Sequence, residues 1–298
     1  MRNDGDRVGG LRAALAALRA HQWIKNLLVF VPLIMAHRVF DAAALAHAGY
    51  AFAAWCLCAS AVYVTNDLLD AEADRSHPYK KRRPLASGRL SARAALVLIP
   101  ALLVPGLAVA LLLLPALFAL SLALYLALTT AYSLSLKRVA IVDVMVLAGL
   151  YTLRVVSGGL ATGIEVSPWL LAFSMFLFLS LAFVKRYTEL REHGGEGSRR
   201  GYARDDMALL KSFGTASGYL SVLVLALYIN NSREVTVLYR RPGALWLVGP
   251  CLLYWVTRVW LLADRGRLHD DPVVFTVKDP ASYVVGAAVA LLIIAATV

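Results

Sequence analysis

Residues 44–66 read ALAHAGYAFAAWCLCASAVYVTN, and residues 67–84 continue DLLDAEADRSHPYKKRRP. The first stretch holds no Asp, Glu, Lys or Arg. It reaches the ~20 apolar residues that a helix needs to cross the hydrocarbon of a bilayer. The second stretch is opposite in character. Asp67, Asp70 and Asp74 follow at i, i+3 and i+7, so on a helix they share one face, with Tyr63 and Asn66 on the preceding turns. Lys80, Lys81, Arg82 and Arg83 come next. A bilayer-length apolar run that delivers carboxylates and then cations at its mouth predicts a membrane helix with its chemistry at one end.

Working outward, the rest of the chain repeats the apolar run. Of its 298 residues 60% are hydrophobic and 16% charged, too few polar groups to coat a globule in water. Spans are predicted near 23–40, 44–66, 92–112, 114–134, 139–160, 168–184, 214–231, 244–262 and 281–298. Pro115 makes the turn between the third and fourth tight. The predicted fold is therefore an all-α integral membrane protein of nine transmembrane helices, because helices satisfy their own backbone in lipid. It forms one domain over 1–298. Residues 1–22 read as an amphipathic helix on the membrane surface, mixing Leu and Ala with Arg7, Arg12 and Arg19; they are too polar for a signal peptide.

The net charge of +11 sorts by side. A cytoplasmic N-terminus puts 24 of the 30 Lys and Arg residues on that face. Arg38, Arg233, Arg240 and Arg241 lie on the other, and Arg154 and Arg258 fall within spans. The positive-inside rule then predicts a bacterial inner-membrane protein with its N-terminus cytoplasmic and its C-terminus external. The basic balance thus belongs to the bilayer and to anions at its surface, not to nucleic acid. Cys56, Cys58 and Cys251 have neither disulfide nor zinc spacing and read as packing residues. The two long polar segments, 67–91 and 185–213, fall on the cytoplasmic side.

Three carboxylates on one face repel one another and are costly without a cation. Oxygen ligands in small number suit Mg²⁺, which keeps waters and binds substrate phosphates. The cations that follow suit a diphosphate. Asp143 and Arg154 lie within one predicted span, eleven residues and roughly 16 Å apart, too far to pair with each other. Intramembrane charges default to a functional reading. Arg258 has no evident partner in the sequence, and His77 reads as positional.

The motif NDxxDxxxD at 66–74, with the basic loop ending in Arg83-Pro84-Leu-Ala-Ser-Gly88, resembles the first aspartate-rich motif of the UbiA superfamily of intramembrane prenyltransferases. The resemblance implies nine helices around a central chamber open to the cytoplasm and laterally to lipid. Ordinary members carry a second aspartate-rich motif after the sixth span. Here that place reads Phe183-Val-Lys185-Arg186-Tyr-Thr-Glu189-Leu. A Lys–Arg pair binds phosphate directly and cannot ligate Mg²⁺. With Gln22-Trp23-x-Lys25-Asn26, Tyr132-Ser-x-x-Leu-Lys137 and Leu153-Arg154-x-x-Ser157-Gly158, the pattern resembles the decaprenyl-phosphate phosphoribosyltransferase branch. The stretch 270–279 also resembles relatives of which some carry a fused phosphatase domain, absent from this sequence.

The resemblance implies that 5-phosphoribose moves from phosphoribosyl diphosphate to a polyprenyl (decaprenyl) phosphate, toward an arabinose donor for the cell envelope. On this resemblance Asp67, Asp70 and Asp74 are expected to be the catalytic carboxylates, with Asn66 and Asp70 expected to hold Mg²⁺. Lys25, Tyr63, Lys80 and Arg83 are expected to bind the donor. Lys137, Arg154, Lys185 and Arg186 are expected to bind the lipid phosphate. The alternative is a Mg²⁺-dependent UbiA-type prenyltransferase using a prenyl diphosphate and an aromatic or isoprenoid acceptor. A transporter is the reading from another class, and it leaves the acidic face unexplained. A homo-oligomer is compatible with the sequence, as is a monomer.

Overall fold

The computed structural model describes residues 12–76, 80–193, 201–268 and 271–297. Among them there is no strand, and eight helices are long and apolar enough to cross a membrane. Their α-helical parts are α1 (Ala42–Leu69), α2 (Ala92–Leu113), α3 (Ala116–Leu134), α4 (Val142–Thr162), α5 (Pro168–His193), α6 (Met207–Asn231), α7 (Val248–Asp264) and α8 (Pro280–Thr297), with the 3₁₀ turns Arg204–Asp206 and Pro242–Leu247 leading into α6 and α7. The first predicted span takes another form: a 3₁₀ helix, Ala20–Phe30, runs into a short α-helix, Val31–Met35. Ahead of it residues 12–17 are helical, while 1–11 and His77 lie outside the described residues.

The chain divides into two compact units. The first comprises 1–33, 38–133 and 157–164; the second comprises 34–37, 134–156 and 165–298. The end of α4 therefore belongs to the first and its beginning to the second.

In the first unit α1 starts at Asp41, whose carboxylate accepts from the amides of Ala43 and Ala44 at 3.1 and 3.0 Å. Its alanines Ala48, Ala51 and Ala54 are fully buried, and such small residues let backbones approach in lipid. Ser91 caps α2 through the Ala94 amide at 3.1 Å. The Leu114-Pro115 corner turns α2 into α3, as the proline predicted. Trp55 of α1 packs on Tyr125 of α3, ring centroids 4.4 Å apart. At Gly158 the backbone comes so close to the 3₁₀ segment that an added Cβ would sit 2.0 Å from the Val29 carbonyl oxygen. Leu111 and Leu112 of α2 are 68% and 80% exposed, which suits a lipid-facing surface.

In the second unit α5 and α6 pack along their lengths, with α7 against α6. Ser180 donates to the Gly214 carbonyl at 2.6 Å and accepts from the Trp260 indole at 3.1 Å, which ties α5, α6 and α7 together. Arg258, without a partner in the sequence, forms a two-pronged ion pair with Asp279 at 2.6 and 2.9 Å, just ahead of α8. Asp279 also accepts from the Ser282 amide and hydroxyl at 2.9 and 2.8 Å. Eight apolar helices, with large aliphatic side chains left outside, make this an integral membrane protein.

Candidate functional site

The first unit holds the aspartate-rich mouth of α1. The segment before it is fixed by side chains: the Trp23 indole donates to Ser60 at 3.0 Å, and Ser60 donates to the Leu18 carbonyl at 2.9 Å. Asn26, buried, donates to the Cys56 sulfur at 3.3 Å, and Lys25 beside it is 8% exposed. This anchoring carries Arg19 to Asp67. Asp67, 2% exposed, accepts from Arg19 at 2.5 Å and from Arg83 at 3.1 Å on one carboxylate oxygen. Arg83 also reaches Asp74 at 2.6 Å. Arg19 lies over the Tyr63 ring, 5.4 Å from its centroid, a cation–π distance.

Asp67 and Asp74 are thus bridged by one guanidinium. Asp70 sits at the end of α1, its carbonyl accepting from the Asp74 amide at 2.8 Å, and its carboxylate forms no ion pair with a described residue. Asn66 and Asp70 are one turn apart and both half-buried. Among the described residues no three His, Cys, Asp or Glu side chains converge into a ready metal cage. That donor set still fits Mg²⁺, which is held through one or two carboxylates with waters and substrate phosphates.

The second unit holds Lys185 and Arg186, and the tertiary structure divides this pair. Successive residues on a helix point about 100° apart, and each meets a different network. Arg186, 2% exposed, donates to Asp143 and to Glu189. Asp143 is fully buried and accepts a second bond, from the Tyr202 hydroxyl at 2.5 Å. Tyr202 itself accepts from the Ile141 amide at 2.8 Å. Burial, and then the bond to the Asp143 carboxylate, push the Tyr202 phenol above its ordinary value of 10. Asp143 therefore pairs with Arg186, a residue of another helix.

Lys185 reaches Asp271 at 3.1 Å, and the Tyr151 hydroxyl donates to the other Asp271 oxygen at 3.3 Å. Arg154, 5% exposed, lies 5.7 Å from the Tyr151 ring centroid and donates to the Leu150 carbonyl at 2.5 Å. Lys185 and Arg154 thus belong to one group with Tyr151 and Asp271. Lys137 is in a separate 3₁₀ turn, Leu136–Arg138, and Lys80 opens another, Lys80–Arg82.

Comparison with known proteins sets this geometry in a family. The pattern of the UbiA prenyltransferase family matches residues 26–279. The chain belongs to the UbiA prenyltransferase family. It is 41% identical over 282 residues to the uncharacterized protein y4nM of Sinorhizobium fredii, covering 93% of this chain and 54% of that one. It is 33% identical to the nodulation protein NoeC of Azorhizobium caulinodans, covering 90% and 88% of the two chains. It is 37% identical over 218 residues to the decaprenyl-phosphate phosphoribosyltransferase of Mycobacterium tuberculosis, covering 71% and 72%. A solved UbiA homologue from Archaeoglobus fulgidus bound to GPP and Mg²⁺ has the same fold, with a TM-score of 0.73 at 17% identity, covering 94% and 99%.

Within this member of the family, sequence reasoning placed Asp67, Asp74, Arg83, Lys185 and Arg154 among site residues, and their surroundings are charged and partly buried. It missed Arg19 as a partner of Asp67, and it missed Tyr151, Tyr202 and Asp271. Only Asp271 carried a local signal: it precedes Pro272, and it caps the short helix Pro272–Thr276 through the Val273 amide at 3.2 Å.

Proposed function

We propose that this UbiA transferase moves 5-phosphoribose from phosphoribosyl diphosphate to a polyprenyl phosphate. The observation that carries the reading is Lys185, a cation linked through Asp271 and Tyr151 to Arg154, where ordinary members place a second set of acids. The similarity to a decaprenyl-phosphate phosphoribosyltransferase over 71% of the chain supports it.

In this reading the donor diphosphate binds at the mouth of α1. Asn66 and Asp70 would hold Mg²⁺, and Asp67 and Asp74 keep Arg19 and Arg83 in place. The chemistry an ion held there would supply is neutralisation of charge on the diphosphate. Lys25, Tyr63 and Lys80 complete the donor side, and Arg83 can turn a donor N–H toward a phosphate. The acceptor phosphate takes Lys185 and Arg154, with Lys137 as a further cation. Arg186, occupied by Asp143 and Glu189, holds the helices instead of the substrate. A phosphate oxygen of the acceptor attacks C1 of the ribose, and the C1–O bond to the diphosphate breaks. The nucleophile is already anionic near neutral pH, so the residues need only align the two groups and exclude water. No histidine–carboxylate pair is required.

Topology completes the proposal. The segment Ala20–Met35 is short for an α-helix, but eleven of its residues are 3₁₀, which rises about 2.0 Å per residue against 1.5 Å. It therefore reaches roughly 30 Å, the thickness of the hydrocarbon. As a ninth crossing it leaves the N-terminus cytoplasmic and the C-terminus external. A reporter that is active only outside the cytoplasm, fused after Val298, should be active; an expressed but silent fusion refutes this.

The function is tested by incubating purified protein with Mg²⁺, polyprenyl phosphate and phosphoribosyl diphosphate, and weighing the lipid product by mass spectrometry. A product heavier by one phosphoribosyl group is expected. Transfer from a prenyl diphosphate to an aromatic acceptor instead would replace this reading with ordinary prenyl transfer.

A further inference from the structure

Lys185 already carries an anion. Its ammonium lies 3.1 Å from one oxygen of Asp271, whose side chain is 10% exposed against 29% for the lysine. The carboxylate is held in that pose from two other directions. Tyr151 donates to its second oxygen at 3.3 Å, and that oxygen also takes the Val273 amide at 3.2 Å. Tyr151 in turn stacks on Phe178, ring centroids 5.3 Å apart, and lies under Arg154. A carboxylate fixed by three donors at a lysine proposed to meet the lipid phosphate is part of how that lysine chooses its ligand.

A membrane enzyme with a phosphate-binding cation faces an unusual competitor. The bilayer offers anionic phosphodiester headgroups at very high local concentration. A diester carries one negative charge, whereas a phosphomonoester carries about −1.5 to −2 near pH 7. An unguarded pair such as Lys185 and Arg154 would fill with diesters. With Asp271 in place, a diester offers Lys185 no more charge than the carboxylate it displaces. A monoester offers more, and it alone gains from the exchange. Specificity then comes from a repulsive group placed against the wrong ligand.

We infer that Asp271 is a specificity-determining residue, a built-in anion that excludes phosphodiester headgroups from Lys185 and admits a lipid phosphomonoester. The inference deepens the proposed function and rests on it for the identity of the monoester.

The test compares wild type with Asp271→Asn in nanodiscs of phosphatidylcholine alone and with about one third phosphatidylglycerol. The readout is the ratio of KM for polyprenyl phosphate between the two membranes. Wild type should give a ratio near one. The variant should give roughly twofold to fivefold, the scale of one charge contact at a partly exposed site. Equal ratios overturn the inference. Tyr151→Phe, which removes one of the three bonds and keeps the carboxylate, should give an intermediate ratio and serves if Asp271→Asn does not fold. Native mass spectrometry then reads the same property without turnover: the variant should retain more phosphatidylglycerol than wild type, and equal retention counts against the inference. A wild type inactive on polyprenyl phosphate would sink the proposed function alone, since lipid retention is measured independently of it.

Discussion

Replacing Arg186 and replacing Lys185, its neighbour in sequence, should have opposite consequences. The Arg186 and Asp143 side chains are 2% and 0% exposed. In Arg186→Ala, Asp143 keeps the Tyr202 bond but loses its counter-charge inside the unit. Breaking one side of a buried ion pair costs about 3–5 kcal/mol. At a few degrees per kcal/mol, the melting midpoint should fall by about 10 °C. The Lys185–Asp271 pair is partly exposed, and such pairs contribute about 0–1 kcal/mol. Lys185→Ala should therefore melt within about 3 °C of wild type. It should instead raise KM for polyprenyl phosphate more than KM for phosphoribosyl diphosphate. Tryptophan fluorescence of detergent-purified protein follows the melt, and initial rates in nanodiscs follow the kinetics. A double-mutant cycle of Arg186→Met with Asp143→Asn should return a coupling above about 1 kcal/mol. If the two alanine variants melt alike, or if Lys185→Ala weakens the donor more than the acceptor, the division of this dipeptide between fold and substrate is wrong.

Other consequences can be measured directly. Asp70→Ala should abolish Mg²⁺-dependent transfer while melting as wild type does, since its carboxylate forms no ion pair with a described residue; unchanged turnover refutes its metal role. Chelation with EDTA should stop transfer, and added Mg²⁺ should restore it. Gly158→Ala forces a Cβ to within 2.0 Å of the Val29 carbonyl oxygen, so it should cost about 1–3 kcal/mol and lower the melting midpoint by several degrees. At Asp279 burial raises the carboxyl, but the bonds from Arg258 and Ser282 outweigh it and hold it below its ordinary 3.8. Its stabilisation is therefore fully present above pH about 4 and fades as pH falls through the lowered value. In Arg258→Met that acid-side loss should shrink, as read by melts between pH 6 and pH 3.

Residues 44–84 alone established the class of the molecule. A bilayer-length run without charge permits a helix, and carboxylates at a helical spacing beyond it put the chemistry at that helix's mouth. The corner at Pro115 was equally legible, because it depends on residues a few positions apart. The first crossing was not. Apolarity predicts that a segment enters lipid, but it does not choose between α and 3₁₀ winding over Ala20–Phe30. The long-range ion pairs were decided by tertiary structure. Asp67 to Arg19 spans 48 positions, Asp143 to Arg186 spans 43, and Lys185 to Asp271 spans 86. Sequence lists the charges that a low-dielectric interior obliges to find partners. Which partner each one takes depends on the helix faces that packing brings within about 3 Å, and a turn of 100° between adjacent residues is enough to send Lys185 and Arg186 to different ones.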